Sequence, residues 1–372
     1  MAAALAATTG GRHPRRVGLL ALRTLTAYAG YLAVQRLGAT VVPLHPGFPP
    51  PRTAATAKAA ALDCVLADPG HAGVELPVPV LAADVTAPGH DPEDAPDPDG
   101  ARDREDARGH AGPDDICYIL FTSGSTGTPK GVPIRHRNVS AYLDHVTARY
   151  GIGVGDRLSQ TFDLTFDLSV FDLFAAWSSG ATVVVPDRAD LLAPRFVARE
   201  RITHWFSVPS VISLARRLRG LAPGSMPTLR WSLFCGEPLT TDQAATWQAA
   251  APDSVLENLY GPTELTLSCT QYRLPATPAD PLPANGTVRS AGCTPVWNSS
   301  SWTTTAAPPT RASCAYGASS VSRAISTPPT TPAASCGTSP ATTGPPPSTP
   351  PTAPATGSGT APATGCVPLR AA

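Results

Sequence analysis

The chain has 372 residues, enough for roughly two or three domains. Its 28 Lys and Arg residues balance its 28 Asp and Glu residues, so its net charge favours neither nucleic acid nor an anionic membrane as a partner. The eight cysteines show no C-x-x-C pair and no zinc-ligand spacing, which favours buried or incidental thiols in a reducing compartment.

The N-terminal region shares two features with a signal peptide, a basic start and an apolar run, but other features argue against one. Arg15 and Arg16 precede an apolar run over residues 17–34, but Arg23 interrupts it. Apolar residues recur there at three- and four-residue spacing, as in a core-facing helix, and no unbroken apolar stretch reaches the roughly 18 residues of a membrane span. The sequence therefore predicts a cytoplasmic protein with no membrane span. A separate expectation is that the first subdomain is incomplete at its N-terminus.

Short apolar strands alternate with helices at the start of the chain. Strands are predicted at 17–21, 39–44 and 63–67, and helices at 24–37 and 54–61. This alternation predicts an α/β fold with parallel sheets flanked by helices, and residues 1–83 form its first subdomain. Residues 84–115 are acidic and rich in Pro and Gly, which predicts a solvated linker.

Residues 116–285 continue the alternation and are predicted to form a second α/β subdomain. Three predicted strands end in polar turns that contain glycine: 116–121, 231–235 and 255–260. Because ligands of open α/β sheets bind at the carboxyl ends of strands, we expect these turns to converge on one crevice. Helices are predicted to begin at Asp167 and to span residues 138–150, 195–201, 210–218 and 241–250. Further strands are predicted at 181–186 and 204–208.

The turn after the first of these strands, Phe121 to Gly131, reads FTSGSTGTPKG. Glycines let backbone amides approach an anion, hydroxyl groups add donors, and Lys130 adds positive charge, so the stretch is a candidate phosphate cradle. It is not a Walker A loop, because Lys130 precedes Gly131 and Val132. The alternative is a flexible surface turn.

Four motifs then follow in order: FTSGSTGTPKG, FDLSVFDLF, CGEP and NLYGPTE, and RLGATVVPLHPGFPP precedes them. Together they resemble the adenylate-forming superfamily, over roughly residues 17–282. Within it, the motifs resemble the amino-acid adenylation domains of nonribosomal peptide synthetases and the D-alanine–carrier-protein ligases. The resemblance implies the large N-terminal domain of the adenylate-forming fold, in an incomplete form.

The resemblance implies an enzyme that joins a carboxylate to ATP, releases pyrophosphate and passes the acyl group to a phosphopantetheine thiol on a carrier protein. ATP and Mg²⁺ are the implied cofactors. Lys130 and Glu264 are the implied catalytic residues, and Glu264 is the carboxylate associated with Mg²⁺. The implied nucleotide contacts are Thr122, Ser123, Gly124, Ser125, Thr126, Gly127, Lys130, Gly236, Glu237, Asn258, Tyr260, Gly261, Thr263 and Glu264.

The resemblance also implies an amino-acid pocket. Asp167 would pair with the α-ammonium group of the substrate, although an acid at a helix N-terminus is also favoured by the helix dipole. The implied side-chain pocket is apolar or small and uncharged, which predicts a small to medium neutral amino acid; core packing is the alternative role for several of its members. The pocket comprises Leu168, Phe171, Ser207, Leu233, Cys235, Leu259, Leu267 and Ser268.

The last part of the chain, residues 286–372, is rich in Pro, Ala, Thr and Ser and is predicted to be disordered. A linker or mucin-like segment has this composition. The preferred hypothesis is instead an out-of-frame translation that begins near Val288. Joining the third base of each codon to the next two lets residues 352–360 decode as YRTGDRVRD, which resembles a later motif of the family.

If that hypothesis holds, the chain lacks the family's ribose-binding aspartate and its C-terminal catalytic lysine. The leading interpretation is therefore a truncated amino-acid adenylation enzyme, poorly active or inactive. An acyl-CoA-type ligase for a plain carboxylate is a second possibility, which Asp167 disfavours. A non-catalytic protein that binds a nucleotide or a partner is a third.

Overall fold

The computed structural model describes residues 1–9, 12–83, 111–122, 129–187, 194–275 and 286–289. Five residues of the candidate phosphate cradle lie outside the described ranges. Most of the predicted linker (84–115) and nearly all of the Pro-, Ala-, Thr- and Ser-rich segment (286–372) lie outside them too. The five are Ser123, Gly124, Ser125, Thr126 and Gly127.

A first sheet has six strands within the described residues, in the order β4–β3–β1–β2–β5–β6. All neighbours pair in parallel except β5 and β6. Because β5 pairs with β2, the sheet continues across the predicted linker. Its strands are β1 (Arg16–Leu20), β2 (Thr40–Leu44), β3 (Cys64–Ala67), β4 (Val80–Ala82), β5 (Ile116–Thr122) and β6 (Lys130–Arg135).

A second sheet also has six strands within the described ranges, in the order β12–β11–β10–β9–β7–β8. It is parallel except for β12, which runs antiparallel to β11. Its strands are β7 (Arg157–Ser159), β8 (Thr182–Val184), β9 (His204–Ser207), β10 (Trp231–Phe234), β11 (Val255–Tyr260) and β12 (Thr270–Arg273).

Helices cover the faces of both sheets, which confirms the predicted α/β class. A π-helical turn, Phe171–Ala175, joins α5 to α6, and we call these three pieces the segmented helix. The helices are α1 (Ala2–Thr8), α2 (Leu25–Arg36), α3 (Pro50–Ala59), α4 (His136–Tyr150), α5 (Leu168–Val170), α6 (Ala176–Ser178), α7 (Pro194–Glu200), α8 (Ser210–Arg217) and α9 (Thr241–Ala250). None of the helices in these residues is long and apolar enough to cross a membrane.

Five elements escape the sequence prediction: α1, β4, β6, β7 and β12. The strands β6 and β12 are antiparallel edges whose residues are largely exposed or half-buried, so their hydrophobic pattern is weak. Lys130 is the first residue of β6, opposite Thr122, and not part of the preceding loop. The helix α3 begins four residues earlier than predicted, because prolines fit the first helical turn.

One buried apolar cluster joins the two sheets. It contains Val41 and Tyr118 from the first sheet, Leu233 and Leu259 from the second, and Phe171 from the segmented helix. Separate clusters pack α3 against the far face of the first sheet, and α8 and α9 against the far face of the second. The shared cluster therefore fixes where the ends of β5, β10 and β11 lie.

Local capping explains the start of α9. The Thr240 hydroxyl accepts from the Gln243 amide at 3.1 Å, and the Gln243 side chain accepts from the Thr240 amide at 2.9 Å, which completes a capping box. The bond satisfies amides that have no partner inside the helix.

We expect Thr240→Ala to lower the free energy of unfolding by about 1 kcal/mol, because the N-cap acceptor is lost. Urea denaturation followed by circular dichroism measures the change. Thr246→Ala is the matched control, since the Thr246 hydroxyl donates only to an exposed carbonyl on the same helix, that of Asp242. Equal losses in the two variants would contradict the capping role.

Candidate functional site

Three strand ends meet at one place, as the sequence predicts. The turn after β11 contacts the start of β6, where Lys130 Nζ lies 3.5 Å from Glu264 Oε1. The turns after β10 and β11 meet at Cys235, whose thiol is approached by the backbone amides of Gly236 and Gly261. Burial of this thiol raises its pKa to about 12, so it stays neutral.

The Lys130–Glu264 pair is partly exposed, with 51% of the lysine side chain and 26% of the glutamate side chain accessible to solvent. An exposed pair of this kind contributes only about 0–1 kcal/mol, so other charged partners can replace it. The site thus offers a cation for phosphate oxygens and a carboxylate for a hard metal ion, side by side.

The donor set fits a metal ion that arrives with its phosphates. Among the described residues, no three His, Cys, Asp or Glu side chains gather as a metal site. Mg²⁺ bound to a nucleotide needs only one or two protein carboxylates, because phosphates and water supply its other ligands. Glu264 can fill that role.

Asn258 lies at the same edge and has an unused acceptor. Its side chain is buried, and its Nδ2 donates to the carbonyls of Val288 and Arg289 at 3.2 and 3.1 Å. Its Oδ1 has no hydrogen-bond partner among the described atoms. A buried acceptor without a donor suits an exocyclic amino group of a ligand. Tyr260, two residues on, leaves 59% of its surface exposed.

The Glu237 carboxylate is engaged elsewhere. Its Oε2 accepts from the Ser210 amide at 2.8 Å and its Oε1 lies 3.1 Å from the Ser210 hydroxyl, at the start of α8. Of the predicted contacts in this turn, Gly236 is the one that meets the turn after β11, through the Cys235 thiol.

Asp167 precedes α5 and is partly buried. Burial raises the pKa of its carboxyl to about 6, the Thr263 hydroxyl and the Leu168 amide oppose that rise, and the Glu264 charge adds to it. Because none of the described residues that set this pKa carries a positive charge, the carboxylate is suited to a cationic partner from solution. Thr263, predicted as a nucleotide contact, therefore also faces Asp167.

Most of the predicted side-chain pocket comes together in the cluster between the sheets. Ser268 is also buried, and its Oγ lies 3.4 Å from the Tyr142 hydroxyl. The residues of the pocket that share the cluster are Leu168, Phe171, Leu233, Cys235, Leu259 and Leu267.

Ser207 lies on the other face of the second sheet. It is opposite Phe234 in register, and its hydroxyl accepts from Trp205 Nε1 at 2.9 Å; Trp205 and Phe234 belong to the cluster under α8 and α9. Its neighbour Phe206 faces the pocket cluster instead, with its ring 5.1 Å from that of Phe171. The alternation of side chains along β9 could have shown this.

The turn that presents Leu267 and Ser268 is strained and tightly packed. Thr266 and Leu267 both have positive φ angles, 58° and 81°, which are uncommon for residues with branched side chains. A Cβ at Gly261 would lie 2.6 Å from Ser268 Cα and 2.8 Å from the Leu267 carbonyl oxygen. Gly261 therefore acts here through close backbone approach.

A family model described as AMP-binding enzyme matches residues 1–300. The chain belongs to the AMP-binding enzyme family. This confirms the predicted superfamily.

Relatives of this chain include an L-proline--[L-prolyl-carrier protein] ligase of Pseudomonas fluorescens, 40% identical over 168 residues, or 44% of this chain and 34% of the relative. The solved structure of IdnL7 has a TM-score of 0.66 and 43% identity, over 77% of this chain and 58% of that one. The Vibrio cholerae adenylation domain AlmE, solved with glycyl-adenosine-5'-phosphate, has a TM-score of 0.66 and 29% identity, over 78% and 58%. The chain thus spans about a third of the length of this curated ligase.

The raised pKa of Asp167 predicts a pH effect on folding. Its folded pKa of about 6 exceeds the unfolded value of about 3.9, so folding takes up a proton and this group lowers stability as pH rises from about 4 to 6. We expect Asp167→Asn to raise the free energy of unfolding, measured in urea, by on the order of 2 kcal/mol at pH 7 and by much less at pH 4. Asp144→Asn, an exposed change on α4, is the control. Equal gains at both pH values would refute the effect.

Proposed function

We propose that this chain binds ATP with Mg²⁺ and a small to medium neutral amino acid, as part of an enzyme that forms an aminoacyl-AMP for transfer to a phosphopantetheinyl carrier protein. One observation carries the proposal. Thr263 and Glu264 are consecutive, and they face Asp167 and Lys130 respectively. A site for an ammonium group therefore adjoins a site for phosphate and metal.

Each residue has a task in such a reaction. Asp167, in its ionised form, would hold the α-ammonium group, which orients the substrate carboxylate toward the nucleotide. A carboxylate oxygen attacks the α-phosphorus, the bond to the bridging oxygen breaks, and pyrophosphate leaves. Lys130 would neutralise phosphate charge. Mg²⁺, when bound beside Glu264, supplies further charge neutralisation.

Adenine would bind beside this crevice. The unpaired Oδ1 of Asn258 would accept from the adenine amino group, and the exposed ring of Tyr260 would stack on the base. The relatives support this assignment by their own names, since AlmE was solved with glycyl-adenosine-5'-phosphate. The Pseudomonas relative, a prolyl-carrier protein ligase, supports an amino-acid substrate and a carrier partner.

The segment from Arg289 to the end of the chain enters the proposal as an out-of-frame translation. It contains no TGD motif as written. The family match ends at residue 300, within this segment. A chain with this out-of-frame segment would bind its substrates better than it turns them over. The group lost would be the family's C-terminal catalytic lysine, and losing such an electrostatic stabiliser usually costs orders of magnitude in rate. Sequencing an intact reading frame across the Val288 codon would refute this part.

Lys130 and Glu264 supply one test, through binding of MgATP measured by titration calorimetry. We expect Lys130→Met to weaken binding about tenfold or more, because a charged contact to phosphate is lost. Glu264→Gln should reduce the difference in ATP affinity with and without Mg²⁺. Lys58→Met on the exposed side of α3 is the control. Unchanged affinity in Lys130→Met would exclude the predicted phosphate site.

Exchange of labelled pyrophosphate into ATP supplies the second test, with a panel of amino acids and of fatty and aryl acids. Exchange, however slow, that depends on one neutral amino acid and is lost in Asp167→Asn would support the proposal. Exchange that depends on a fatty or aryl acid would replace it with an acyl-CoA-type ligase. MgATP binding with no exchange for any acid would indicate a non-catalytic nucleotide-binding protein.

A further inference from the structure

Tyr142 brings a hydroxyl group to the amino-acid pocket from an element that the sequence motifs do not mark. It lies on the buried face of α4, with Val139, Val146 and Tyr150. Only 3% of its surface is exposed, and its ring packs in the same cluster as Leu233 and Leu259. Its hydroxyl contacts Ser268, the last member of the predicted pocket, at 3.4 Å.

The two hydroxyl groups hold one proton more than their contact uses. Each has one O–H donor, and only one of those protons can lie between the two oxygens. Among the described residues, neither oxygen has another hydrogen-bond partner. Asp167 and Asp172 act on the pKa of Tyr142 through their charges and make no hydrogen bond to its hydroxyl. One buried O–H donor therefore has no acceptor among the described side chains and backbone, which costs about 1–3 kcal/mol until an acceptor binds.

A second tyrosine on the same helix face shows the contrast. Tyr150 is equally buried, and its hydroxyl donates to Glu257 Oε2 at 3.2 Å. Glu257 also pairs with Arg149 and Arg273, so this group of side chains is complete without a ligand. The incomplete pair is the one that borders the pocket.

We infer that Tyr142 and Ser268 form a polar end of the amino-acid pocket that selects a side chain with a hydroxyl group, such as that of serine or threonine. The inference rests on the proposed function and narrows its substrate class. The substrate hydroxyl accepts the unused proton and donates its own to the other oxygen of the pair, while the rest of the pocket, Leu233, Leu259 and Leu267, contacts the aliphatic part. A site that hydrogen-bonds a substrate hydroxyl discriminates against the analogue that lacks it.

Binding of unreactive aminoacyl-adenylate analogues tests the inference without requiring turnover. We would measure the affinity of the full chain for threonyl- and valyl-sulfamoyl adenosine, which are nearly isosteric, and for AMP, by titration calorimetry. The expected preference of the unsubstituted chain for the threonyl analogue is about tenfold. The double variant Tyr142→Phe/Ser268→Ala should reduce that preference to about one, because either single variant still leaves one hydroxyl proton without an acceptor. Tyr150→Phe is the matched control and should retain it, and circular dichroism checks that each variant folds.

The outcomes separate the inference from the function on which it rests. Equal affinity for the two analogues, both tighter than AMP, would overturn the hydroxyl selection and leave the proposed function standing. A preference that survives in the double variant Tyr142→Phe/Ser268→Ala would overturn the role of the pair. Analogues that bind no more tightly than AMP would overturn the amino-acid site and the inference together.

Discussion

The apolar cluster between the two sheets is the constraint on which the rest of the structure depends. It takes side chains from β2 and β5 on one side and from β10 and β11 on the other. Buried apolar surface of this extent is the main favourable contribution to folding. Polar bonds reinforce the junction, since Arg23 and the Tyr28 hydroxyl both bond to Gln160, beyond the end of β7. The strand ends that face one crevice are thus held by a core formed from both halves of the chain.

The turn after β11 connects this packed core to the candidate functional site. Gly261 allows the backbone to pass within contact distance of the Thr266–Ser268 segment, and the two left-handed residues there aim Leu267 and Ser268 at the core. On the opposite side of the same turn, Thr263 and Glu264 reach Asp167 and Lys130. Strain of a few kcal/mol in such a turn persists only where the surrounding packing determines the backbone.

The two faces of the second sheet decide which predicted residues can act together. Side chains alternate along each strand, so Leu233 and Phe234 lie in different clusters although they are neighbours in the chain. Ser207 follows Phe234 and leaves the pocket, whereas Phe206 enters it. Tyr142 joins the same cluster from α4 and lies outside the sequence motifs. The predicted pocket residues therefore differ from the set that packs together: Ser207 lies outside that cluster, and Phe206 and Tyr142 lie inside it.

The sequence by itself determined the α/β class, the limits of the central strands and helices, the family, and the residue types at the site. These follow from local patterns. The burial pattern of β11 and the capping box of α9 each depend on residues close together in the sequence, so both elements occupy the predicted residues. Only the tertiary structure decided that β5 joins β2 across the linker, that Lys130 meets Glu264, and that Tyr142 meets Ser268. Each of these contacts joins residues more than 70 positions apart, and their proximity depends on how the two sheets pack. The edge strands β6 and β12 were also decided at that level, because pairing with a neighbour, and not their weak hydrophobic pattern, makes them strands.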